Sequence, residues 1–281
     1  MHRRRFLCHA YALVTASLLG WPCPPRAIAR AEGPASGSRS PVQPGIALII
    51  DDIGYSYRRA DLFLSLNLPL TFSVLPQLPK SGNLARTIQE QGHEIMLHQP
   101  MEPVNRRLDP GPGALFVEDS ADRIVDTMEA NIDALTLAAG VNNHMGSRFT
   151  ACSGKIEPAL EVIKAHGLYF VDSVTSQRSV AHRTARQMGL SAGYNRYFID
   201  PVIRESFIYS RLVQLETAAL SKGQVIGIGH PHPSTARALA RFARSPATVG
   251  PRWAYVSEIM GSAPAPREPT LNSNWFYKTA I

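Results

Sequence analysis

Two rhythms of hydrophobic and polar positions alternate along this chain. Ile46 to Ile50 is an uninterrupted apolar run ending in two aspartates, which suits a strand covered on both faces. Arg58 to Leu66 then takes a helical rhythm, Leu70 to Leu75 is strand-like, Asn83 to Gln91 reads as a helix stopped by Gly92, and His93 to Leu97 returns to strand. Ser120 to Ala138 sets Ile124, Val125, Met128, Ile132 and Leu135 on one face at helical spacing, with Ser120 or Asp119 as N-cap. The rhythm continues through Ile156 to His166 (helix), Leu168 to Val171 (strand), Tyr197 to Ile199 (strand) and Ser206 to Ser221 (helix). Val225 to Ile228 (strand), Thr235 to Ala243 (helix) and Ala254 to Ile259 (strand or mixed) complete it. A β/α alternation with about seven strands requires a parallel sheet, either open and doubly wound or closed into a barrel. The predicted class is α/β.

Both architectures place chemistry at the carboxyl ends of the strands. Those ends carry Asp51 and Asp52, His98, His144, Asp172 with Ser173, and His230. Any one alone would be an ordinary structural residue; together, carboxylates and imidazoles converging on one rim have the composition of a metal site. A mixed Asp and His set suits Zn²⁺ or another divalent first-row ion, whereas calcium would want more oxygens. On a regular strand, neighbouring Asp51 and Asp52 point to opposite faces. At a frayed end one can ligate while the other reaches a metal-bound water as base.

Composition separates the ends of the chain from its body. The 281 residues are 44% hydrophobic and 18% charged, enough to bury a sizeable core. The net charge of +7 is concentrated at one end: five of the 29 basic residues (Arg3, Arg4, Arg5, Arg26, Arg30) precede residue 32, where no acid falls, leaving 24 against 22 acids. A body this close to neutral has no electrostatic footprint for nucleic acid, and none is expected as a partner. Arg3 to Arg5, the mostly apolar Phe6 to Trp21 and Ala29-Arg30-Ala31 read as a secretory leader over residues 1–31, exported by the general or the twin-arginine route. The expected location is the periplasm or cell envelope, with membrane contact only through the leader if it stays uncleaved. Residues 32–45 read as a flexible lead-in, 46–262 as the folded domain, and 263–281 as a Pro-rich tail with Trp275, Phe276 and Tyr277 near its end. Of three cysteines only Cys152 lies outside the leader, so the body forms no internal disulfide.

Several chemistries lack their signatures. There is no G-x-G-x-x-G after a strand, no Walker loop, no H-E-x-x-H and no G-x-S-x-G. Cys152 has no evident base, and His93, His166 and His182, at a strand start, a helix end and a loop, read as structural or surface residues. No Lys or Arg cluster lies beside the proposed ligands in the sequence, which disfavours a phosphoesterase.

Four segments carry a family resemblance: Ala47-Leu48-Ile49-Ile50-Asp51-Asp52-Ile53-Gly54, Gly92 to Pro103 around His98, Asn143-His144-Met145-Gly146-Ser147, and Gly227 to Pro233 around His230. In that order they resemble the divergent polysaccharide deacetylase family, an exported branch of the NodB-type carbohydrate esterases. The resemblance implies a distorted, incomplete (β/α) barrel of about seven parallel strands, binding one divalent metal and removing N- or O-acetyl groups from a glycan. It further implies Asp51 as catalytic base and Asp52, His98 and His144 as metal ligands. His230 is then the general acid, Asp172 the aspartate that orients it, and Arg148 the arginine that braces the base. Glu102 stands where the larger family has its second histidine. Pro100 and Pro103 bracket that segment and fix φ at two points, which disfavours a turn returning Glu102 to the ion and leaves the third position to His144. The expected activity is metal-dependent deacetylation of an acetylated envelope glycan. The rival is a catalytically silent glycan-binding or envelope-organising protein on the same fold.

Overall fold

The computed structural model describes residues 43–244 and 250–261; the leader, the lead-in up to Val42 and the tail lie outside the described residues. Strands and helices alternate as the periodicity demands: β1 (Gly45–Ile53), α1 (Tyr57–Leu64), β2 (Thr71–Val74), α2 (Ser81–Glu90), β3 (Glu94–Met101), α3 (Ala121–Ala134), β4 (Gly140–Met145), α4 (Ser153–Ala165) and β5 (Tyr169–Asp172). Then come α5 (Ala181–Gln187), β6 (Ala192–Tyr194), β7 (Tyr197–Phe198), α6 (Glu205–Lys222), β8 (Gln224–Gly229), α7 (Pro233–Ala243), β9 (Arg252–Ala254) and α8 (Val256–Met260). Among the described residues no helix is long and apolar enough to cross a membrane.

Every strand pairing is parallel, in the order β6-β5-β4-β3-β2-β1-β8-β7. The two outer members, β6 and β7, are joined only by Asn195 and Arg196, so one passage of chain pairs first with β5 and then with β8. Counting that passage once gives the expected seven positions around a distorted barrel. β9 pairs with Gly45 to Ala47 of β1, alongside the part of that strand that β2 does not reach.

Helix α3 shows how local sequence sets an element. Ser120 caps it by accepting a hydrogen bond from the Arg123 amide at 3.2 Å, and Ile124, Met128, Ile132 and Leu135 bury its inner face. Burying each such side chain contributes about 1.5–3 kcal/mol. Two apolar clusters result. The larger lies between sheet and helices; a smaller one of Ala47, Ile49, Met96, Tyr169, Val171, Ile226, Ile228 and Val256 fills the barrel interior. α8 closes the amino-terminal end of the barrel. Gly140 is required there, because a Cβ on it would sit 2.2 Å from the Tyr169 ring.

The structure differs from expectation in three places. α5 and β6 were not apparent in the pattern because both are short and partly polar. The Ala254 to Ile259 segment divides into the end of β9 and the start of α8. His182 lies in α5 rather than in a loop.

Candidate metal centre and active site

Parallel strands bring all their carboxyl ends to one rim, and the interior positions at that rim are polar. The pairing of β1 with β2 slips between Ile50 and Ile53, and Asp52 takes a left-handed φ of 58°. This bulge solves the geometric problem of two adjacent aspartates. Asp51 is buried inside the barrel, while Asp52 turns towards the histidines of β3 and β4.

Asp52 Oδ1 lies 3.2 Å from His98 Nε2 and 3.0 Å from His144 Nδ1, and those two nitrogens are 3.1 Å apart. Despite this crowding, Asp52 Oδ1 is buried and has no aligned hydrogen bond. His98 is oriented from behind. Asn142 donates from its amide nitrogen to Asp51 Oδ1 at 2.8 Å, which fixes its carbonyl oxygen towards His98 Nδ1 at 2.7 Å and Ser73 Oγ at 2.5 Å. That oxygen only accepts, so His98 carries hydrogen on Nδ1 and turns Nε2 to Asp52.

The electrostatics agree with a cation at this point. Burial works against the charge of Asp52, but the two imidazoles outweigh it and hold the carboxyl well below the usual range. Burial also opposes protonation of His98, yet Asp51 and Asp52 outweigh it and raise its pKa. For Asp51 burial wins: its pKa is raised against the pull of His98, His230 and the Asn142 hydrogen bond, with Asp52 adding to the rise. An orphaned carboxylate oxygen facing two imidazole nitrogens, inside a field that favours positive charge, fits a divalent ion. Asp52, His98 and His144 would hold it, and their donor set suits Zn²⁺.

Across the mouth, His230 follows β8. Its Nδ1 lies 2.9 Å from Asp200 Oδ1, its backbone amide donates to Asp200 Oδ2 at 2.6 Å, and Thr235 Oγ1 donates to the same oxygen at 2.8 Å. The ring stacks on Phe198 at 6.3 Å. Burial lowers the affinity of His230 for a proton, but the hydrogen bond and charge of Asp200, with Asp51 and Asp52 farther off, raise its pKa to about 9. With Nδ1 committed to Asp200, Nε2 is the nitrogen available to a substrate.

Two expected roles need correction. Asp172 does not orient His230: its carboxylate accepts from the Val174 and His182 amides and from Ser179 Oγ, fixing the loop into α5. Asp200, which ends the chain passage adjacent to β8, takes the place assigned to it. Arg148 does not brace Asp51 either. It pairs with Glu102 and, at 3.0 Å, with Glu118, tying the long β3–α3 loop to the end of β4. Asn142 is the residue that holds Asp51. Glu102 spends its other oxygen on the Val117 amide at 2.9 Å and lies outside the Asp52, His98, His144 group.

The fold and rim thus define a parallel (β/α) barrel with a candidate Asp/His/His metal site at its mouth. The sequence profile of the divergent polysaccharide deacetylases matches residues 48–260, and the chain belongs to that family. The uncharacterized Escherichia coli (strain K12) protein YibQ is 32% identical over 205 residues, which cover 72% of this chain and 64% of YibQ. The match therefore spans just under two thirds of that relative. An uncharacterized Agrobacterium tumefaciens C58 protein, ATU2773, superposes with a TM-score of 0.73 at 26% identity, covering 80% of this chain and 92% of that one. The peptidoglycan N-acetylglucosamine deacetylase Bc1960 shares the fold, with a TM-score of 0.52 at 14% identity over 80% of this chain and 91% of its own.

Proposed function

We propose that this chain is an exported, metal-dependent carbohydrate deacetylase that hydrolyses N- or O-acetyl groups on an envelope glycan. The observation that carries the reading is the grouping, on one rim, of Asp52, His98 and His144 with Asp51 beside them and the His230–Asp200 pair opposite. Asp52, His98 and His144 would hold a divalent ion, which would supply Lewis acidity and make water at the mouth easier to deprotonate. Asp51 takes the proton of the attacking water, and Asn142 keeps its carboxylate aimed. The water oxygen adds to the acetyl carbon, and the bond from that carbon to the sugar nitrogen or oxygen breaks. His230 gives the leaving atom a proton from Nε2, and Asp200 holds the ring for that transfer. The products are acetate and a free amine or hydroxyl.

Export is supported by Arg3 to Arg5, the apolar run after them and Ala29-Arg30-Ala31. Mass spectrometry of protein from the producing cell is expected to find a chain starting at or near Glu32; a full-length chain retained in the cytoplasm contradicts it. The catalytic reading is tested by acetate release from a panel of acetylated glycans, with zinc-loaded and chelator-treated protein side by side. Release that depends on metal supports it. Metal and glycan binding without any release favours the glycan-binding alternative.

A further inference from the structure

One side of the mouth has a lining that the hydrolytic steps do not use. A cleft of about 170 Å³ lies between the β1–α1 loop and the turn after β8, bounded by Asp52, Tyr55, Arg59, His230 and His232 among others. It is smaller than the roughly 300–1,000 Å³ of pockets that engulf a drug-sized ligand, so it suits one sugar ring or substituent. Asp52 and His230 belong to the reaction; Tyr55, Arg59 and His232 do not.

Arg59 is the sole Lys or Arg on this wall. Elsewhere near the rim, Arg148 and Arg106 pair with Glu102 and Glu118, and Arg237 pairs with Glu205. Among the described residues no carboxylate pairs with Arg59. His232 lies with its ring 6.1 Å from that of His230, and its backbone amide donates to the His230 carbonyl at 2.7 Å, which fixes the turn. Its ring has at least one N–H in either neutral tautomer, so it offers a donor whatever its charge. The one acid on the wall, Asp52, directs Oδ1 to His98 and His144. Tyr55, 59% exposed, supplies an aromatic surface at the edge of the cleft. A guanidinium and an imidazole with no acid of their own make a receptor for an anionic oxygen group, which a planar guanidinium binds in bidentate fashion.

We infer that Arg59 and His232 form a subsite for an anionic substituent, a carboxylate or a phosphate ester, on the glycan whose acetyl group faces Asp51 and His230. The inference rests on the deacetylase reading for the identity of the ligand as a glycan, and it adds the charge class. The anion is recognised here and does not react. Lys would keep the charge of Arg59 and lose its fork; Gln would lose the charge.

The test is calorimetric titration of the zinc-loaded protein with glucuronate, glucose 6-phosphate and neutral N-acetylglucosamine, for wild type, Arg59→Gln and Arg59→Lys. The expected result is at least tenfold tighter binding of one charged sugar than of the neutral one. That preference is abolished in Arg59→Gln and partly retained in Arg59→Lys, and it weakens as salt rises. Which charged sugar binds distinguishes carboxylate from phosphate. Equal binding of charged and neutral sugars, no binding of either charged sugar, or an undiminished preference in Arg59→Gln overturns the subsite. Acetate release by wild type, measured separately, tells the two readings apart. Charge preference without release retains the subsite and removes the deacetylase; release without charge preference does the reverse.

Discussion

The barrel holds a buried polar cluster at each end, and the two are wired in opposite senses. At the floor, Glu94 Oε1 accepts from Thr71 Oγ1 at 2.8 Å, from the Tyr169 hydroxyl at 2.9 Å and from the Ser257 amide at 3.2 Å, while Thr71 Oγ1 accepts from the Val256 amide at 3.1 Å. Burial, then the charge and hydrogen bond of Glu94, push the Tyr169 hydroxyl well above its usual pKa, so it stays a neutral donor. At the mouth, Asp52 Oδ1 has close neighbours and no aligned bond. The floor carboxylate is saturated with donors, whereas the one at the mouth is left open towards a point where positive charge is favoured.

Substitutions at the two ends should therefore have separable effects. The largest is expected for Asp51→Asn, which should cut acetate release about 10²–10⁴-fold with zinc content nearly unchanged by mass spectrometry. Asp52→Asn should lose both release and zinc. Equal loss of zinc in the two variants would erase the division between base and ligand. Next is Asn142→Ala, which removes the support behind His98 and should weaken zinc binding about 10–100-fold in competition with a chelator. At the floor, Glu94→Ala should leave zinc affinity as in wild type. It should lower unfolding free energy in urea by about 1–3 kcal/mol for each donor left unpaired. A floor variant that loses zinc with its fold intact would break the contrast.

Smaller effects sharpen it. In metal-free protein the His230 ring should titrate near 9 by NMR, and Asp200→Asn should bring the midpoint down to about 6.5 or below. Because the folded value is raised, the stabilisation from this pair is complete below about pH 6.5 and is lost as pH rises through about 9. The stability difference between wild type and Asp200→Asn should accordingly narrow across that window. The smallest effect is expected for Arg148→Ala: acetate release within a few-fold of wild type, with the loss confined to anchoring of the β3–α3 loop. A collapse of activity comparable to Asp51→Asn would reinstate Arg148 as a brace.

Much of this was legible in the chain because parallel strands buried on both faces leave uninterrupted apolar runs, and the residue after each run is at the rim. The same rule, applied one step further, reaches Asp200, which directly follows Ile199 at the end of a strand-like segment. Asp172 also ends a strand, but β6 and β7 intervene between it and β8, an adjacency that sequence order does not display. Asn142 shares a strand face with His144 by spacing of two and was legible on that ground. The left-handed φ at Asp52 was not, since it comes from a slip in pairing between β1 and β2 rather than from a glycine. Nor was the diversion of Arg148, which depends on Glu118 arriving from a loop 30 residues away.

The floor also has a consequence in time. The amides that complete it belong to Val256 and Ser257, which meet residues 185 and 163 positions earlier in the chain. During synthesis, every described strand has been made before these donors exist, so Glu94 and Thr71 must wait without them. Contacts of such long sequence separation slow folding, and a nascent chain lacking them exposes interior surface. The barrel is therefore a fold that the ribosome cannot finish piecemeal: it is completed only when its last turn arrives.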